Sequence, residues 1–201
     1  MIRSPESRLK SGTPDTMHDR RRLLRLAATG ALLYRVGGLP ALLTPAAARA
    51  AGAELEVLSP MEVTTLEALG ETFLPGAAAE GLVHYIDRQL AVPVEDCLLL
   101  VRYLDVPPPW RDFYHEGLAA LERVARSRFG SGFAALDDAE RGRLVDGLAT
   151  DAVSGWQGPP APLFHYLLRA DAVDVVYGTQ RGFEKLDIPY MAHITPPSPW
   201  S

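Results

Sequence analysis

The sequence predicts an all-α protein: a compact bundle of about six helices followed by an extended C-terminal arm rich in proline and aromatic residues. Three observations carry that reading. Apolar residues recur at three- and four-residue spacing in one segment after another. Helix-start signatures stand where these segments begin, with glycine or proline where they end. No run that could be a strand finds a second one to pair with.

The first body helix is expected in "LSPMEVTTLEALGETFLP". Ser59 is its N-cap, Pro60 its first residue, and Glu62 completes a capping box. Val63, Leu66, Leu69 and Phe73 form one apolar face, and Pro75-Gly76 ends it. "EGLVHYIDRQLA" follows, with Leu82, Tyr85, Ile86 and Leu90 inward. "PVEDCLLLVRYLD" is apolar nearly all round its middle and predicts a buried helix. "VPPPW" is a stiff extended connector. "RDFYHEGLAALERVARSRFG" predicts the longest helix, with Phe113, Leu118, Leu121, Val124 and Phe129 inward and Gly130 closing it. "ALDDAERGRLVDGLA" starts from Asp137 with Glu140 three residues on. "APLFHYLLRADAVDVVYG" is the last long helix, ending at Gly178.

Charge divides the 201 residues unevenly. The first fifty carry nine Lys and Arg against three acids; the remainder carries eleven bases against twenty-two acids, leaving −5 for the whole chain. A basic leader on an acidic body reads as an address. The body would repel a phosphate backbone, so no nucleic-acid partner is expected. The leader contains "DRRRLLRLAATGALLYR". A membrane span needs about 20 consecutive apolar residues, and Arg25, Arg35, Gly37, Gly38 and Pro40 interrupt this one. Arg20, Arg21, Leu23 and Leu24 fit a twin-arginine export signal, a receptor-read address rather than an anchor. Ala48-Arg49-Ala50 supplies a small–x–small cleavage pattern, with Ala50 the last residue removed. The alternative is an uncleaved basic amphipathic helix on a membrane surface. The organisation expected is therefore a leader over 1–50, a helical domain over 51–178 and an extended arm over 179–201, with the mature chain in the periplasm.

The twin-arginine route carries folded proteins, which raises the question of a cofactor. None is expected in this chain, and no catalytic or metal-binding residue is singled out. The single Cys97 allows neither an internal disulfide nor a thiolate cluster, and it reads as a small buried hydrophobe. His84, His115, His165 and His193 lack ligand spacing, and His84 and His165 read as packing residues. "FGSGF" lies between helices and reads as a C-cap and turn, not a dinucleotide fingerprint. An enzyme would need converging groups, and here Tyr, His and Asp are dispersed.

The C-terminal arm brings Phe183, Ile188, Tyr190, Met191 and Trp200 into a proline-set path. Aromatic anchors of this kind dominate interface energetics, and pre-set proline geometry lowers the entropy lost on docking. These five residues are the expected partner interface. The same arm packed on its own bundle is the competing reading.

Three stretches carry a resemblance: "S-P-x-E-x-x-T-L-E-A-L-x-E-T-F-L-P", "G-L-V-x-Y-I-D-R-Q-L" and "R-F-G-x-x-F-A-A-L-x-x-A-E-R", behind a twin-arginine leader. Together they are similar to the small subunit of gluconate 2-dehydrogenase (subunit 3 family), over roughly residues 58 to 190. That family also supplies the small gamma subunit of periplasmic FAD-dependent sugar dehydrogenases. The resemblance implies a non-catalytic subunit that binds a large FAD-bearing dehydrogenase of the glucose–methanol–choline type. It further implies that the export machinery carries this partner as a hitchhiker on the small subunit's signal, and that a multihaem cytochrome c can complete the electron path. FAD would reside in the partner. After Gly178 the sequence departs from the Y-G-G-N, Gly-Trp and Tyr-Pro-Gly pattern of many members. A stand-alone exported helical binding or structural protein is the alternative.

Overall fold

The computed structural model describes residues 30–188. Within them the chain is mostly helical. It begins with a β-hairpin, β1 (Leu32–Val36) and β2 (Leu39–Leu43), then α1 (Pro45–Ala50), α2 (Pro60–Phe73) and α3 (Leu82–Ala91). After a non-α stretch come α4 (Trp110–Phe129), α5 (Asp138–Ala149), α6 (Ala161–Tyr177) and the short α7 (Gln180–Lys185). The all-α bundle is as the sequence predicts, with the hairpin as an addition.

Local chemistry explains the helix ends. Ser59 and Asp137 each form a complete capping box, with Glu62 and Glu140 respectively. Gly130 closes α4 in the left-handed conformation, and its N–H reaches the Arg126 carbonyl. Helix α2 then packs against α3, α4, α5 and α6 and is the hub of the bundle. Leu66, Leu69, Ile86, Tyr114, Leu118 and Phe164 lie in one continuous core. Where α4 meets α6 the Phe164 ring lies directly against the α4 backbone. A Cβ on Gly117 would stand 2.1 Å from the Phe164 ring, so only glycine lets that ring seat.

Three expectations are corrected. The stretch read as the end of a leader is a hairpin that pairs Leu32 with Leu43 and Val36 with Leu39. Gly37 and Gly38, both at positive φ, make the two-residue turn whose twist suits such a hairpin. Residue 50, the expected end of the leader, is the last residue of α1. Secondly, "PVEDCLLLVRYLD" is not an α-helix but two 3-10 turns, Val94–Asp96 and Leu100–Tyr103. Side chains satisfy its backbone instead: the Leu98 N–H donates to Gln89 Oε1, and Arg102 donates to the carbonyls of Glu95 and Cys97. Cys97, Leu99 and Val101 are nonetheless buried. Thirdly, the arm is not extended from residue 179. Thr179 caps α7, and Lys185 Nζ pairs with Glu80 at 2.6 Å, tying this first part to the bundle.

Candidate partner-binding surface

Three carboxylates, Asp87, Glu122 and Asp171, are buried in the bundle. Asp87, on the inner side of α3, accepts from the N–H groups of Glu56, Val57 and Leu58 at 2.8, 2.9 and 2.8 Å. It fixes the turn that feeds α2. Glu122 on α4 accepts from the Thr65 hydroxyl at 2.8 Å and the Phe133 N–H at 3.0 Å, and pairs with Arg126 at 3.2 Å. It joins α2, α4 and the turn after Gly130. Both carboxylates are thus committed to this chain's own backbone, and sequence reasoning assigned neither a role. The signal that could have found them is a charge on the apolar side of a helix.

Asp171 is different. It is fully buried on α6, with Oδ2 accepting from the Tyr114 hydroxyl at 2.7 Å and Oδ1 without a partner. Burial pushes its pKa up to about 7, against the opposing pull of the Tyr114 hydrogen bond. Asp174, one turn on, is raised by burial as well.

Asp174 also lines a cleft of about 440 Å³ between the start of the hairpin and the end of α6. Leu32, Pro45, Tyr85, Leu98 and Val175 supply its apolar wall. Leu98 is 57% exposed beside it. Farther along, Leu186 and Ile188 are exposed where the described chain ends. Among the described residues, no group of three His, Cys, Asp or Glu side chains is placed to hold a metal ion. Nor is any helix among them long and apolar enough to cross a membrane.

The sequence-predicted site residues divide as follows. Arg20, Arg21, Leu23 and Leu24 lie outside the described residues, as do Tyr190, Met191 and Trp200. Phe183 is half-buried on α7, and Ile188 is exposed. Ala48 and Ala50 lie in α1, Ala48 fully buried and Ala50 exposed. His84 rests edge-on against Tyr34, and His165 against Phe73, in the packing roles expected of them.

The class defined by these features is a mostly helical bundle whose buried acids Asp87 and Glu122 brace its own backbone, with an apolar cleft at its surface. The family model of gluconate 2-dehydrogenase subunit 3 matches residues 60–193, and the chain belongs to that family. Its members are small subunits of a dehydrogenase complex. No curated protein and no solved structure matches the chain.

Proposed function

We propose that this chain is the non-catalytic small subunit of a periplasmic, membrane-associated dehydrogenase. Its partner is a large FAD-dependent subunit of the glucose–methanol–choline type that oxidises a sugar, sugar acid or alcohol. The small subunit supports the partner's folding and stability and carries it out of the cytoplasm on the twin-arginine signal at Arg20 and Arg21. The observation that carries this reading is membership of the subunit 3 family over residues 60–193. The commitment of Asp87 and Glu122 to backbone N–H groups supports a scaffold rather than a reaction centre.

The partner surface in this reading is the C-terminal end of the chain. Ile188, Tyr190, Met191 and Trp200 are the anchors, with Phe183 seating the segment on the bundle. The exposure of Leu186 and Ile188 supports that placement. A multihaem cytochrome c completes the assembly where one is present. The decisive experiment is affinity purification of the tagged chain from its own cells. The expected result is a larger, yellow partner that releases FAD on denaturation. A chain that elutes alone and colourless from cells with active dehydrogenase would refute the proposal.

A further inference from the structure

We propose that the segment from Leu32 to Ala53 is retained in the working subunit, and that Ala48-Arg49-Ala50 is not where the export leader is cut. The proposal rests on the twin-arginine reading for its cellular setting and on the fold for its argument. The hairpin and α1 lie outside the residues that the family model matches, so nothing about the family decides their fate.

A signal peptidase needs an extended, accessible strand around the scissile bond, with the small side chains entering its pockets. Here that strand is a helix. Thr44 caps α1 by accepting from the Ala47 N–H, and Pro45 occupies its first position. The Ala48 N–H donates to the Thr44 carbonyl, and the Ala53 N–H to the Ala48 carbonyl, at 2.8 and 2.9 Å. The Ala48 side chain, which would have to enter the enzyme, is fully buried.

The segment is also bolted to the bundle. Tyr34, Ala48 and Ala53 form a small core, with Leu32, Val36 and Leu43 against it. The Tyr34 ring lies edge-on to His84 of α3, their centroids 6.5 Å apart. A Cβ on Gly81, at the start of α3, would stand 2.3 Å from the Pro45 backbone, so α1 presses directly on the bundle. Arg49 pairs with Glu67 of α2 at 3.3 Å, and the Glu54 N–H reaches back to the Arg35 carbonyl at 2.9 Å. Cutting after Ala50 would strip these contacts and uncover the wall that Leu32 and Pro45 give to the cleft. A route that exports folded protein presents the peptidase with α1 already formed. Cleavage must then fall before Leu32, or not occur.

The test is the N-terminal residue and intact mass of the chain isolated from the exported fraction with its partners. A start at or before Leu32 is expected; any later start overturns the proposal. A chain found only in the cytoplasm refutes the export reading instead. In that event the full chain is incubated with detergent-solubilised signal peptidase, where resistance after Ala50 is expected and a cut there overturns the proposal. The fold half is read separately in the full-length chain. Tyr34→Ala should lower the melting temperature by about 10 °C. Tyr34→Phe should leave it near wild type, because the hydroxyl has no hydrogen-bond partner. An unchanged melting temperature in Tyr34→Ala would show that the segment does not brace the bundle.

Discussion

Asp171 holds a proton near neutrality because burial disfavours its charge, and this gives stability a definite pH dependence. Its folded pKa, about 7, lies above the ordinary aspartate value of 3.8. Its contribution is therefore fully present below about pH 4 and is lost as pH rises through 7. Asp171→Asn keeps an acceptor for the Tyr114 hydroxyl but cannot ionise. The variant should melt near wild type at or below pH 4 and increasingly above it towards pH 8, which thermal scans at pH 4 and pH 8 would check. A wild type and variant with parallel pH profiles would contradict the assignment. Asp87→Ala tests a different kind of acid. It strands three N–H groups in a part-buried turn, and a loss of about 3 kcal/mol is expected in urea unfolding. A charge on the apolar side of a helix marks each of these acids in the sequence, but not its partners. The partners of Asp87 are backbone groups some thirty positions earlier, and backbone donors leave no pattern in residue identities.

Elements were legible in proportion to how local their causes are. Helices α2 and α5 carry their caps within four residues of sequence, and both capping boxes formed. Ser59→Ala should accordingly cost about 1 kcal/mol of stability, measured by urea unfolding at pH 7. A cost near zero would mean that Asp87, which holds the residues just before Ser59, positions α2 unaided. The stretch 94–103 misled because burial and helicity look alike in a short apolar run. What prevents the α-helix is the long reach of Gln89 and Arg102 to its backbone. The hairpin had a readable signal. Gly37-Gly38 between apolar runs is a turn signature, with Tyr34 and Val36 facing the same way. The preceding arginines drew the reading towards a leader, in which glycines merely break a helix.

In the whole molecule, the sequence continues beyond the described bundle at both ends. The basic N-terminal part stands against an acidic body. In the proposed function the first is an address and the second the cargo adaptor. Replacing Arg20 and Arg21 by lysine preserves charge but not the paired guanidinium groups that a receptor would read. Both this chain and the dehydrogenase activity should then stay in the cytoplasm, as fractionation would show. Activity still reaching the periplasm would sink the hitchhiker idea. The other end tests the adaptor. The bundle is closed through Thr179, α7 and the Lys185–Glu80 pair, all upstream of Asp187. Deleting Asp187 to Ser201 removes the exposed Ile188 together with Tyr190, Met191 and Trp200, but leaves those ties in place. If the C-terminal residues are partner anchors, the truncated chain should melt within a few degrees of wild type and no longer retain the flavoprotein. Aggregation or a large fall in melting temperature would instead mean that these residues seal the chain's own core. Retention of the yellow partner at wild-type yield would move the docking site to the cleft between Leu32 and Val175.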